Sequence, residues 1–437
     1  MDAALPVTPP KRTHVRYVVL ALIAVGTMIN YLDRSLLAVA APRMAEDLAL
    51  GAATMGILFS AFSWSYALAQ IPGGMFLDRF GVRLTYALSV GVWSIFTGLQ
   101  GAATGLTSLI IYRLGLGAAE APCFPANSRI LVAWFPQGER ARAQSVYSVG
   151  MYFGIAFLSP VLFWVTGTFG WRALFIIAGV IGVLFAALLW WVYRDPEHSR
   201  RVNQAELDHI AAGGGGGLSA ATGKTPFSWK QIGWLLSKRQ ILGASIGQFA
   251  TNATLVFFLT WFPTYLVVER DMPWLKVGWM AVLPFIAASV GVVFGGQLSD
   301  ALVKRSGSAT FGRKLPIVAG LLLSSTIISA AFLKSDALVI AVMSVAFFGQ
   351  GMSNLGWTLI SDVAPKSLIG LTAGVFNFCT NLAGIVTPIM IGFIVAATGS
   401  FFGGLAMIGI FALIGALSYT FLVGRVERIA EPLAEAA

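Results

Sequence analysis

Twelve runs of about twenty apolar residues constrain this chain more than any other feature. A helix rises ~1.5 Å per residue, so about 20 residues match the ~30 Å hydrocarbon core of a bilayer. The runs read as 17–41, 54–77, 84–105, 107–131, 143–168, 172–194, 238–267, 275–298, 315–333, 336–359, 367–396 and 400–423. Of the 437 residues 57% are hydrophobic and only 11% charged, whereas a soluble domain carries about 25% charged. An integral membrane protein follows. Lipid offers no partner for backbone polar groups, so the runs are expected as helices, with ends soft by several residues.

A net charge of +10 invites a nucleic-acid reading, but its placement argues otherwise. Of 29 Lys and Arg, Arg34 and Arg113 lie inside runs and five (Arg43, Arg172, Arg270, Lys276, Lys334) fall on one side, leaving 22 on the other. This asymmetry follows the positive-inside rule: both termini and the middle loop are expected in the cytoplasm, and the chain in a cell inner membrane. The lipid bilayer is then the basic face's partner, not nucleic acid. The first run is too long for a signal-peptide core and no small-residue cleavage site follows it, so it is expected to anchor the chain. Cys123 and Cys379 sit inside runs without metal spacing and are expected to be inert thiols.

The longest polar interval separates six runs from six. The expected division is a tail over 1–16, a six-helix bundle over 17–194, a cytoplasmic linker over 195–237, a second bundle over 238–424 and a tail over 425–437. The linker holds an amphipathic stretch around Glu206–Ile210 and five glycines at Gly213–Gly217. Gly223-Lys224-Thr225 imitates the end of a phosphate-binding loop, but Leu218 stands where that motif needs glycine. The halves echo each other. Gly73-Gly74-Met75-Phe76-Leu77-Asp78 ends run two and Gly295-Gly296-Gln297-Leu298-Ser299-Asp300 ends run eight; Thr166-Gly167-Thr168-Phe169 and Thr398-Gly399-Ser400-Phe401 follow runs five and eleven. A six-span repeat with unchanged orientation is the parallel-repeat architecture of major facilitator carriers. The fold expected is therefore all-α, with twelve transmembrane helices in two six-helix bundles.

Two carboxylates lie deep in apolar runs, each near an arginine: Asp33 beside Arg34, and Glu120 two turns after Arg113. A charge at mid-bilayer costs at least ~2.5–3.5 kcal/mol, so each is a functional candidate by default. Arg113 and Glu120 project from nearly the same face of one helix. Measured along the helices, Asp33 is roughly 12 Å and Arg113 roughly 9 Å from the outer end, so these two are expected at similar depth. An Arg34–Glu120 approach is less secure. Desolvation and neighbouring guanidinium groups pull a buried carboxylate's proton affinity in opposite directions. An anion that engages the arginine loosens its hold on the carboxylate and favours protonation; protonation frees the arginine for the anion. Arg113 is the first choice for an anion clamp, because guanidinium presents a planar fork, and Arg34 the second.

Gly74-x-x-x-Asp78-Arg79-x-Gly81-x-Arg83 matches the facilitator loop signature, partly repeated at Gly296–Asp300, and is expected to serve gating. Tyr31-Leu32-Asp33-Arg34, Gln70-Ile71-Pro72-Gly73-Gly74, Arg113-x6-Glu120-Ala121-Pro122-x-Phe124-Pro125, Trp261-Phe262-Pro263, Trp357 and Phe376-Asn377 resemble the anion:cation symporter family, and within it the bacterial galactonate and glucarate carriers. The resemblance spans about Arg16 to Arg428. It implies proton-coupled uptake of a hexonate or hexarate, with Asp33 and Glu120 taking protons, no cofactor beyond the proton gradient, and a monomer as the simplest unit. Tyr31, Tyr66, Gln248, Trp357 and Asn377 could complete a sugar-acid pocket, with Asn252 and Ser361 as further polar candidates. Met151 stands where galactonate-type carriers place glutamine, which leaves open tartrate, a phthalate-like aromatic acid or a sulfonate such as sulfoacetate. An enzyme is disfavoured: His14, His198 and His209 all lie in the tail or linker, and neither a zinc pattern nor a Ser–His arrangement lies in a run. A membrane receptor would need an output domain that the short tails do not supply, and a transport-derived sensor stays as the alternative of a different class.

Overall fold

A computed structural model describes residues 12–216, 229–365 and 368–431, without the side chains of 141, 145 and 148–153. The Gly223-Lys224-Thr225 imitation and the Met151 side chain lie outside what is described. Among the described residues nine helices are long and apolar enough to cross a bilayer. Two of them each hold two spans: Ala52–Gln100 reverses at Gly81 (φ +77°) and Gln137–Val192 at Gly170 (φ +85°). The fourth crossing is divided at Ala121-Pro122 into Leu106–Glu120 and Cys123–Trp134, each too short alone. With these folds the chain crosses as the sequence leads one to expect: span 1 is Val15–Asp47, spans 2 and 3 are 52–80 and 82–100, span 4 the broken pair, spans 5 and 6 are 137–169 and 171–192. Span 7 starts at Arg239–Thr260 and ends in a π-turn at Tyr265–Glu269; spans 8 to 12 are Trp274–Ser306, Ala309–Phe332, Asp336–Val363, Ile369–Thr398 and Phe402–Leu422.

The internal repeat is sharper in the backbone than in the residues. The motif echo pairs Gly167 with Gly399, yet the left-handed residue that turns span 5 into span 6 is Gly170, three positions on. Its counterpart after span 11 is Gly399 (φ +69°), and Gly81 after span 2 is matched by Gly307 (φ +66°) after span 8. Only glycine tolerates such φ without strain, which fixes the turns.

The apolar core divides unevenly. One cluster joins both bundles at the end opposite the chain termini: Leu36–Met44, Met55–Phe59 and Phe163 from the first half meet Phe257–Leu266, Phe285 and Ile391 from the second. At the termini end each bundle keeps its own core, one around Tyr86, Trp93 and Trp134, the other around Ile317, Leu359 and Tyr419. Span 2 packs along span 11, span 5 along span 8, and span 1 against span 7. The closest approach needs glycine, because a Cβ on Gly56 would strike the Pro388 carbonyl and Gly392 Cα. Trp274 Nε1 donates to Phe163 O at 2.9 Å across the same seam. The gap between bundles therefore opens on the side of the termini.

The linker begins as part of the first bundle. Glu206, on the amphipathic stretch of the linker, is fully buried. Its Oε2 accepts from Thr13 Oγ1 (2.6 Å) and Val15 N (3.1 Å), while its Oε1 accepts from the Arg16 backbone N (3.3 Å) and Nη1 (3.1 Å). Helix Gln204–Ala212 is thus clamped to the start of span 1. Helix Trp229–Ser237 packs on spans 7 and 11 of the second bundle.

Candidate functional site

Span 1 places three site residues by helical spacing alone: Tyr31, Asp33 and Arg34 lie at mid-membrane within one turn. Span 4 contributes Arg113 and Glu120 just before its break. The break itself follows from Pro122, which cannot donate a backbone hydrogen bond and clashes with the preceding turn. Glu120, Asp33 and Arg113 are 0%, 1% and 2% exposed.

The pairing differs from the sequence expectation. The less secure contact is the one formed: Arg34 Nε donates to Glu120 Oε2 at 2.9 Å. Asp33 and Arg113 make no ion pair within 4.0 Å among the described residues; both Asp33 oxygens and Arg113 Nε and Nη1 are buried without hydrogen-bond partners. Helix depth brought Asp33 and Arg113 level, but rotation about the helix axes decides which side chains meet. Arg34 keeps part of its surface, its side chain being 16% exposed, although its Nη2, like Nε and Nη1 of Arg113, is buried without a hydrogen-bond partner.

An aromatic box surrounds that guanidinium. Arg34 Cζ lies 4.9, 4.6 and 4.8 Å from the ring centres of Tyr31, Phe62 and Tyr66. Each contact contributes about 0.5–2 kcal/mol, more as water is excluded. Phe62 also lies 5.4 Å under Arg113 and stacks on Tyr66 at 5.4 Å, so one ring supports both cations. No sequence signal picked out Phe62, since phenylalanine is ordinary in an apolar span. Asn30, one turn before Asp33, is likewise new: it sits beside Glu120 with its amide unpartnered.

The second bundle's candidates are more dispersed. Gln248 is buried and donates to Asn354 Oδ1 at 3.2 Å, with its own Oε1 unpartnered. Asn377 accepts from Asn381 Nδ2 at both its carbonyl and side-chain oxygens (2.8 Å each). Trp357 packs edge-on against Phe376 at 4.9 Å and is exposed; Ser361 donates to its carbonyl (3.0 Å). Asn252 is committed to Thr380 O at 2.9 Å, a helix-to-helix bond. Trp261, quoted above for its motif, belongs to the seam: its Nε1 donates to Pro388 O at 3.1 Å and its ring meets Phe59 at 5.1 Å.

The loop motif is assembled at the termini end. Asp78 is ion-paired with Arg129 of span 4, which also donates to Leu77 O at 3.3 Å. Gly81 makes the reversal, Gly74 faces open space and Arg79 lies over Phe80. Arg83 donates to Trp190 O at 2.9 and 3.1 Å and covers its indole, pinning span 6. In the second half Asp300 pairs with Arg313 at 2.9 Å, and Arg313 reaches Asp362 of span 10 at 3.3 Å. Each half thus ties its second span to its fourth through charge.

Comparison with known proteins agrees with this architecture. The profile of the Major Facilitator Superfamily matches residues 23–388. The chain is 43% identical over 430 residues to "Probable galactarate/D-glucarate transporter GudP" of Escherichia coli K12, covering 96% of each chain. It is 43% identical over 432 residues to the D-galactonate transporter of Escherichia coli O6:H1, covering 97% of this chain and 99% of that one. A solved bacterial homolog of the human lysosomal transporter Spinster, inward-facing and occupied, superposes with a TM-score of 0.73 over 93% of this chain and 97% of that one at 20% identity, a likeness of fold. The twelve-span repeat, the charged loop in each half and these similarities together make the chain a member of the major facilitator superfamily, a multi-pass membrane transporter and not an enzyme.

Proposed function

We propose that this protein takes up a small sugar acid, a hexonate or hexarate, together with protons. The observation that carries the reading is the Arg34–Glu120 pair: a buried carboxylate held at 2.9 Å by the one arginine of the site whose side chain keeps some exposed surface. An incoming carboxylate competes with Glu120 for Arg34. Glu120 then gains a proton, and its neutral form releases Arg34 to the substrate. Asp33, one residue away and buried, is a second proton carrier. The sugar-acid names of the relatives supply the substrate class.

Both termini lie in the cytoplasm on this reading, because the basic side of the chain is the inside. The gap between bundles then faces inward, and uptake requires the outer seam at Gly56–Gly392 to part as the termini ends close. The charged loops around Asp78 and Asp300 hold each half rigid during that rocking. One chain forms the whole pathway, and the proton gradient is the driving force. A monoanion with one proton moves no net charge, whereas a dianion with one proton works against ~2.3 kcal/mol per 100 mV. Two acids allow two protons for a dianion.

Uptake of labelled galactonate, glucarate, tartrate, phthalate and sulfoacetate into proteoliposomes tests the reading. With the outside one pH unit more acidic, electroneutral symport concentrates a monoanion carried with one proton about tenfold and a dianion carried with two about a hundredfold. Accumulation of a sugar acid that collapses with the pH gradient is expected. Uptake of every sugar acid indifferent to pH overturns it, and preference for tartrate, phthalate or sulfoacetate replaces the substrate class alone.

A further inference from the structure

Behind Asp33, on the side away from the gap, lies a polar file that the substrate path does not use. Trp93, Thr97 and Gln100 follow one another at four and three residues on span 3 and therefore share one helix face. All three are fully buried. Trp93 Nε1, Thr97 Oγ1 and both amide atoms of Gln100 have no hydrogen-bond partner, and neither do the two Asp33 oxygens that Trp93 and Thr97 adjoin. Indole and hydroxyl both adjoin the carboxylate as its nearest uncharged donors. Buried polar atoms are nearly always satisfied, and each one left bare costs about 1–3 kcal/mol. Such a run along one helix face, beginning at a buried carboxylate, is the lining of a water site.

The file also has a direction. Span 3 runs toward the end opposite the termini, and Trp93 to Gln100 climbs ~10 Å that way. Gln100 is its last helical residue; exposed Ala102 and Thr104 follow at once in the turn. The charges acting on Asp33 are Glu120 and Arg113, both on span 4, while span 3 supplies only uncharged polar groups. Nothing on that face competes for the proton.

We propose that Trp93, Thr97 and Gln100 hold a water-filled proton path to Asp33 from the turn after span 3, separate from the route the anion takes between the bundles. The inference rests on the proton-coupled reading above. Gln100 and Thr97 hold the waters, and Trp93 orients the carboxylate. Protons reach Asp33 within the first bundle while the seam between bundles stays closed.

The test uses the full chain in proteoliposomes, with galactonate or glucarate as the probe, whichever the intact protein accumulates. Under a one-unit pH gradient, Thr97→Val and Gln100→Leu are expected to lower accumulation toward onefold, from about tenfold for galactonate with one proton or about a hundredfold for glucarate with two, while substrate exchange without a gradient stays within about twofold of the unaltered protein. Thr97→Ser, which restores the hydroxyl, is expected to restore accumulation. Unchanged accumulation in both variants overturns the path. So does failure of Thr97→Ser alongside Thr97→Val, which points to shape, and so does joint loss of exchange and accumulation, which points to packing. Asp33→Asn separates the two layers: if it accumulates substrate normally, a proton role for Asp33 falls and the path with it. If it is uncoupled while Thr97→Val and Gln100→Leu are normal, only the path falls.

Discussion

Replacing Glu120 with glutamine isolates the proton from the rest of the site. The side chain keeps its shape and can still accept from Arg34 Nε, now without charge. At an effective dielectric of 20 the lost attraction is about 4 kcal/mol for charges 4 Å apart. Removing one partner of a buried pair ordinarily costs about 3–5 kcal/mol, because the other charge is stranded. Here Arg34 retains three aromatic rings within 5 Å and some exposure, so much of that cost is offset and the protein should fold. The stranded guanidinium is also the anion's partner, now without a competitor. Glu120→Gln is therefore expected to bind substrate at least as tightly as the unaltered protein. Its binding should also lose the strengthening on acidification that the unaltered protein shows. In proteoliposomes with a one-unit gradient the unaltered protein should reach about tenfold accumulation and the variant about onefold, with exchange retained. Full gradient-driven accumulation by Glu120→Gln refutes the competition between carboxylate and substrate.

Other outcomes follow from the same geometry. Arg34→Lys keeps the charge but loses the planar fork, and should weaken substrate binding about tenfold or more, read by isothermal titration. Phe62→Ala removes the ring beneath both guanidiniums and should weaken binding and lower thermal stability by about 3–5 kcal/mol in detergent; unchanged binding would show that the box is only packing. Gly56→Leu should wedge the seam against Pro388 and Gly392, raising the reaction of a cysteine placed at Ser63 with an impermeant reagent added from the side opposite the termini. At the linker, burial opposes ionisation of Glu139, but the His209 hydrogen bond (3.0 Å) and Arg16 (3.2 Å) hold its carboxyl below the usual range. A lowered folded value stabilises above the unfolded value of ~4.3 and is lost as pH falls through the lowered one, so hydrogen exchange in Gln204–Ala212 should accelerate as the pH drops below ~4.

How far the site was legible varies by residue. Asp33, Arg34, Arg113 and Glu120 announced themselves because a charge in an apolar run is costly and therefore conspicuous. Phe62, Trp93 and Thr97 did not, since aromatic and hydroxyl residues are common in membrane helices and only their neighbours make them matter. The loop motif was legible as a motif, yet the working partners of its first copy, Arg129 and Trp190, stand 51 and 107 residues from Asp78 and Arg83, and in the second half Asp362 stands 49 residues from Arg313, beyond any local pattern. The clamp at Glu206 was not legible, because its partners in the Thr13–Arg16 segment stand about 190 residues away in the chain.

The sequence by itself determined the crossings, the two-fold repeat, the basic side and the four charged residues of the mid-membrane site. All are written in local hydropathy and glycine placement, which lipid enforces segment by segment. The tertiary structure alone decided which arginine holds which acid, that the bundles join at one end and part at the other, and that Asp33 backs onto unpartnered polar atoms. These depend on the rotation of each helix about its axis, and that rotation is settled by packing between spans far apart in the chain.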